Sequence, residues 1–208
     1  HRDGGQFFQE YVRGKRKAAV KKIGSSKKIG TVVIFEPDPE IFPEIKFDWS
    51  KIINHLRLQA YLVRSLRITV IDAREFPPIS NLENIFYLRD LKLQIPSTSF
   101  YFEGGLVSLI KFYNDVLKPI HKSVFYVDKE IGEVRVEIAL QYVDDISSRV
   151  IAFANNIYNS EGGMHITGFK TALTKTLNNY ARKNGFIKES EDNLTGEDVL
   201  EGLTAVIS

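Results

Sequence analysis

Three places in the 208-residue chain carry residue types that could do chemistry. Gly162-Gly163 stands just ahead of a helical pattern and could free backbone N–H groups for an anion. A tight turn feeding the helix is the plainer reading and is preferred. His165, at the head of that pattern, is of the right type for a general base. No carboxylate or nucleophile stands at a diagnostic spacing from it, so a structural hydrogen bond is preferred. Lys170, Lys175, Arg182 and Lys183 follow on the same pattern, off its apolar stripe. Lys175 and Arg182 share a face, whereas Lys170 sits well round the helix. They suit a solvated face first and phosphate contact second. The third place is residues 1–30, with nine Lys/Arg against Asp3 and Glu10, a net +7. The remainder carries 19 bases and 24 acids, so the basic charge is local. A solvated hairpin is preferred there over a polyanion site.

Other chemistries are excluded by what is missing. There is no phosphate-cradling G-x-x-x-x-G-K-[ST] loop, no G-x-S-x-G elbow, no H-E-x-x-H and no dinucleotide fingerprint. Cysteine is absent, which removes disulfides, Cys-ligated zinc and thiol nucleophiles. Four scattered histidines do not suggest a metal cage. A net charge of +2 fits neither a highly basic nucleic-acid coat nor an acidic tail. No apolar run approaches the roughly 18–20 residues that span a bilayer.

These residues must be positioned by elements, and the periodicity proposes them. Gln6 to Val12 reads as a strand, and Thr31 to Phe35 as a short apolar strand stopped by Pro37-Asp38-Pro39. Asp48 can cap a helix from Trp49 to Arg64, whose apolar face is Trp49, Ile52, Ile53, Leu56, Ala60 and Val63. Leu66 to Ile71 reads as a strand, Phe76 to Asn84 as a Pro-containing excursion, and strand-like pieces run on to Phe102. A helix carries Leu106, Leu109, Ile110, Tyr113 and Leu117 and ends before Pro119. Val124 to Val127, Val134 to Tyr142 and Arg149 to Ala154 read as antiparallel strands. A long helix covers about His165 to Lys183, with the stripe Ile166, Phe169, Leu173, Leu177 and Tyr180. Thr195 to Asp198 has the form of a capping box, and a last strand begins near Leu203. The fold class is α+β, with mixed or antiparallel sheets and the helices on one face. The chain opens without Met and closes on an apolar β run, so an internal piece of a longer protein is expected.

Four segments, in order, reach further than the chemistry. They are Ile29 to Phe42, Phe102 to Gly105, Ala154 to Ile157 with Glu161 to Phe169, and Leu194 to Val199 with Glu201 to Ser208. Together they resemble the B-subunit family of DNA gyrase, and more broadly the ATPase subunits of bacterial type IIA topoisomerases, including that of topoisomerase IV. The resemblance implies that residues 1–101 form the C-terminal half of a Bergerat-fold (GHKL) ATPase domain. It implies that 102–208 form a transducer domain like the second domain of ribosomal protein S5, stopping before a Gln-Thr-Lys loop.

By the same resemblance, Arg2 matches the Arg at the mouth of the nucleotide pocket that aminocoumarins contact. Thr31 matches the Thr whose hydroxyl helps hold adenine, Gly30 lets the backbone approach there, and Val33 lines the pocket. Lys170 matches a basic residue facing the hole where a DNA segment passes, and Lys175 is taken with it as DNA-facing. The implied cofactors are ATP and Mg²⁺, with the Mg²⁺ ligands outside this stretch. The implied partners are double-stranded DNA, the gyrase A subunit, and a second B subunit on ATP binding, in the cytoplasm and with no membrane. No catalytic residue is assigned, and the chain alone is expected to be inactive. A different class, a non-catalytic binding module with the S5-like fold, is kept as the alternative. The chain departs from the family pattern at Ile29, Met164 and Leu200, and its stretch 72–100 exceeds the usual hairpin.

Overall fold

The computed structural model describes residues 1–77, 87 and 94–208. The chain divides into two compact units, His1–Asp48 with Ala73–Ile95, and Trp49–Asp72 with Pro96–Ser208. The excursion read at Phe76 to Asn84 lies mostly outside the described residues.

In the first unit, β1 (Gly5–Phe8) pairs antiparallel with β4 (Lys21–Ser25), with a bulge between Gln6 and Phe7. Between them β2 (Tyr11–Val12) and β3 (Lys15–Arg16) close a two-stranded ribbon at Arg13-Gly14. Both turn residues have positive φ, 48° and 74°, as the tight turn matched to strand twist demands. The single strand expected from Gln6 to Val12 is therefore two, because the ladder is irregular at the bulge and pauses at Gln9 and Glu10. The strand expected from Thr31 to Phe35 is not formed. Those residues are irregular and exposed, Val33 at 78 % and Phe35 at 71 %. Their β-branched run has the propensity for a strand, but no described strand pairs with them, and pairing is what stabilises a strand.

The second unit is built on one five-stranded sheet. Its strands are β7 (Phe125–Ile131), β8 (Val134–Tyr142), β9 (Arg149–Ala154), β10 (Ile157–Tyr158) and β11 (Leu203–Ile207). The order is β10-β9-β11-β8-β7, so the last strand in sequence lies in the middle. It runs antiparallel to β8 and parallel to β9, which makes the sheet mixed rather than antiparallel throughout.

Helices cover both faces, not one. Val206 faces its partner Ala139, and both join a core with Phe153, with Leu106, Leu109 and Ile110 of α2 (Leu106–Tyr113), and with Tyr61 and Leu62 of α1 (Trp49–Leu62). The neighbouring pair, Ala205 and Leu140, points the other way and packs with Leu203, and with Phe169 and Leu173 of α3 (Met164–Lys183). The cause is legible in β11 itself. All five of its residues are buried, the signature of a strand sandwiched between layers.

Two predicted stripes shift. α1 ends at Leu62; Ala60 of the predicted face is buried, Tyr61 and Leu62 join it, and Val63 is exposed. Tyr61 stacks on Phe102 with ring centroids 3.6 Å apart. Tyr180 leaves the α3 stripe for solvent and stacks on Phe186. The capping box is present at α4 (Gly196–Leu200), where the Thr195 hydroxyl accepts from Asp198 N–H and Asp198 accepts from Thr195 N–H at 2.7 Å. α4 feeds β11 through Gly202, at φ 66°, where a Cβ would lie 2.5 Å from the Val143 carbonyl oxygen. The remaining hairpin, β5 (Ile68–Ile71) with β6 (Ser97–Phe100), brackets residues 72–96.

A polar thread ties the middle of the sheet to α2. Thr204 donates to Asn114 Oδ1 at 2.8 Å, Asn114 donates to Gln141 Oε1 at 3.0 Å, and Gln141 donates to the His121 carbonyl at 3.0 Å. His121 Nε2 accepts from Tyr142 N–H at 3.0 Å while Nδ1 donates to the Ser123 carbonyl, which fixes the neutral tautomer. Among the described residues, every buried side-chain N or O has a partner.

Candidate nucleotide-binding edge and DNA-facing helix

The edge is assembled by backbone pairing. His1 N donates to the Gly30 carbonyl and Gly30 N–H donates to the His1 carbonyl, each at 3.0 Å. Ser26 Oγ lies 2.7 Å from His1 Nδ1 and accepts from Lys28 N–H. Two-way bonds of this kind mark an antiparallel pair, so His1 stands opposite Gly30 although 29 positions separate them, and Arg2 and Thr31 lead away from that pair in opposite directions. Arg2 also exchanges two backbone bonds with Gly5 around the Asp3-Gly4 turn. Its guanidinium is exposed and meets Asp3 at 3.1 Å, a pair that water screens heavily. Gly30 has φ 145°, a conformation in which a side chain would be strained. Thr31 and Val33 follow, both exposed.

The structure thus pairs His1 with Gly30, sets Arg2 and Thr31 one residue from that pair in opposite directions, and leaves Val33 further along an open stretch. Two cavities lie in the other unit. One, of about 520 Å³, is lined by His55, Gln59, Phe153, Asn156 and Tyr158 among others, and the second lies beside α4. Neither contains a predicted site residue.

α3 carries the residues predicted to face DNA. Lys170 is half-buried and Lys175 exposed, and neither has a carboxylate partner among the described residues. Five positions apart, they are separated by about 140° around the helix, so they do not form one patch. Arg182 is removed from the phosphate-contact set. Its three guanidinium nitrogens donate to Asn193 Oδ1 at 2.7 Å, to the Lys188 carbonyl at 2.9 Å and to the Glu191 carbonyl at 2.7 Å. It clamps the segment between α3 and α4, and Asn178 finishes the clamp through both backbone polar atoms of Leu194. His165 is exposed at the head of the helix.

Sequence reasoning missed the Asn114–Gln141–Thr204 thread. Its signal was present, as Gln141 and Thr204 are polar residues inside apolar strands. It also missed Arg64, two residues past α1, whose guanidinium lies 4.5 Å above the Tyr126 ring and 3.3 Å from Glu137. Burial, and then the hydrogen bond to Glu137, push the Tyr126 hydroxyl up to about 12. Tyr126 therefore donates to Glu137 throughout the neutral range.

The family model described as DNA gyrase B matches residues 105–208. The chain belongs to the DNA gyrase B family. Its whole length is 41 % identical to the DNA gyrase B subunit of Streptococcus pneumoniae serotype 4 and covers 30 % of that protein. It is 38 % identical to the DNA gyrase B subunit of Bacillus mycoides, covering 47 % of it. Among solved structures it is similar to the 43K ATPase domain of Thermus thermophilus gyrase B in complex with an aminocoumarin. There the TM-score is 0.78 at 32 % identity, covering 99 % of this chain and 52 % of that one. The B subunit of the DNA gyrase from Myxococcus xanthus, at 20 % identity and TM-score 0.69, shares the fold. The chain thus spans about a third to a half of the gyrase B relatives it matches.

Proposed function

We propose that this chain is part of the ATP-hydrolysing subunit of a type IIA DNA topoisomerase, gyrase, which couples ATP binding and hydrolysis to strand passage and supercoiling. The observation that supports the reading is the two-way pairing of His1 with Gly30, which holds the segment bearing Arg2 against the segment bearing Gly30 and Thr31. Residues 1–101 serve as the C-terminal part of the GHKL domain and 102–208 as the transducer. Thr31 suits adenine because a hydroxyl can donate and accept at once. The strained φ of Gly30 keeps a side chain out of the approach, and exposed Arg2 guards the mouth.

ATP, when bound, supplies the phosphoanhydride whose cleavage resets the cycle. These residues bind and orient it. Among the described residues no group of three His, Asp or Glu could hold a metal ion, so Mg²⁺ is assigned no step through them. No residue of the chain is assigned as the base that activates water, and the 208-residue chain alone is expected not to turn over ATP. In the intact subunit, ATP favours the closed dimer of two B subunits, which traps duplex DNA. The sheet of the second unit then passes nucleotide state to the gyrase A subunit as a rigid-body switch. Lys170 and Lys175 meet the passing phosphates as mobile point charges. The setting is cytoplasmic. Among the described residues no helix is long and apolar enough to cross a membrane.

The test is reconstitution of the full-length protein with the gyrase A subunit on relaxed plasmid. ATP-dependent negative supercoiling is expected. Relaxation or decatenation without supercoiling would assign the chain to a topoisomerase IV instead.

A further inference from the structure

We propose that the ribbon β2–β3, with its stem on β4, is a second DNA-contacting surface that enters a groove of duplex DNA and holds the phosphate rails on both sides. The choice of DNA among polyanions rests on the gyrase reading, whereas the demand for a polyanion rests on charge alone.

Five cations of this region, Lys15, Arg16, Lys21, Lys22 and Lys27, are exposed and have no acidic partner among the described residues. Four carboxylates of this unit are held by other cations. Asp3 is held by Arg2, Glu10 by Lys17 at 3.5 Å, and Asp38 and Glu40 by Arg13 at 2.7 and 2.6 Å. An ordinary solvated surface interleaves both signs. Here one sign is left over on a single hairpin.

The ladder distributes those cations to both faces. Val12 pairs with Lys15 and Tyr11 with Arg16, so Lys15 and Arg16 leave by opposite faces. Lys21 and Lys22 do the same opposite Phe8 and Phe7. Every residue from Tyr11 to Val20 is exposed, so neither face is covered. A flat surface patch would need its cations on one face only. A ribbon charged on both faces suits insertion between two phosphate backbones, and the major groove, about 12 Å wide, admits a two-stranded ribbon. The tip is aimed rather than loose, because the Arg13 guanidinium at the turn is tied to both Asp38 and Glu40. Gln9, an amide that could read a base, is occupied by the Ala18 carbonyl. The contact is therefore to phosphate and independent of sequence.

The experiment measures binding of the 208-residue chain to a short fluorescein-labelled DNA duplex by anisotropy across salt. If all five cations engage, affinity falls roughly five-hundredfold between about 50 and about 200 mM salt. Replacing all five by Gln should reduce the slope of log K against log salt by about four to five, and K15Q/R16Q alone by about two. The double variant lies at the tip, and an unchanged thermal melt shows that loss of binding is not loss of fold. K170Q/K175Q serves as the comparison. An RNA duplex of the same length should bind more weakly, since its major groove is too deep and narrow to enter. No DNA binding by the parent chain would overturn the proposal, as would an unchanged salt slope in both ribbon variants. Tighter binding to the RNA duplex or to anionic vesicles would replace DNA with another partner and overturn it too. Supercoiling by the full-length protein is read separately. If supercoiling fails while the ribbon variants lose duplex binding, the gyrase reading falls and the ribbon surface stands.

Discussion

Two five-residue segments have nearly the same character and opposite fates. Thr-Val-Val-Ile-Phe at 31–35 is irregular and exposed, while Leu-Thr-Ala-Val-Ile at 203–207 is the buried middle of a sheet. Local propensity does not separate them. What separates them is a neighbour on each side. β11 has β8 and β9 for its backbone groups and α2 and α3 for its side chains, whereas the 31–35 stretch has no described strand beside it. A strand is made by its partners as much as by its residues.

The sharpest way to break the comparison is the same substitution in both. Val206→Asp puts an unpaired carboxylate into a site with no exposure and should cost more than about 4 kcal/mol. Val33→Asp, 78 % exposed, should change the stability of this chain by less than about 0.5 kcal/mol. Thermal or urea melts of the two variants check this, and equal destabilisation would mean that Val33 is covered in solution.

Next in size is the site itself. In the full-length protein, Thr31→Ala should weaken ATP binding by roughly 5- to 150-fold, corresponding to about 1–3 kcal/mol for one lost polar contact. Calorimetric titration reads it, and unaltered affinity removes Thr31 from the edge. The counterpart in the sheet is Thr204→Val, which keeps shape but leaves Asn114 Oδ1 without its donor. A loss of about 1–3 kcal/mol in a urea melt is expected.

The smallest effect concerns the cap of α4. The Thr195 hydroxyl and then the Thr195 N–H hold the Asp198 carboxyl below its ordinary 3.8. A lowered folded value means the stabilisation is complete above the unfolded pKa and is lost as pH falls through the folded one. Asp198→Ala should therefore slightly lower the melting temperature at neutral pH and flatten its decline in acid. A mutant whose acid decline matches the parent's would show that the cap is not what titrates.

How much of this was readable in the sequence follows the same divide. α3, β8 and the Thr195–Asp198 cap were legible because their signals are local: a stripe, an alternation, and two side chains three residues apart. Arg2, Gly30 and Thr31 were singled out only through family resemblance, since nothing between residues 1 and 30 announces the pairing of His1 with Gly30. The coverage of the sheet on both faces was written in the unbroken burial of β11 and was missed, because a short, mostly apolar run also fits an edge. The three bonds of Arg182 were not legible, because its acceptors are two backbone carbonyls and an amide that the turn after α3 brings into reach.

The position of β11 also sets a schedule for synthesis. β8 and β9 have no ladder between them until residues 203–207 arrive, 48 residues after β9 ends. At roughly 5–20 residues per second, the nascent chain carries two unfinished sheet halves for about 2–10 s. During that interval the inner edges of β8 and β9 are open templates for a neighbouring chain. The protein should therefore be most prone to aggregate while it is being made, and most dependent then on whatever shields an emerging polypeptide.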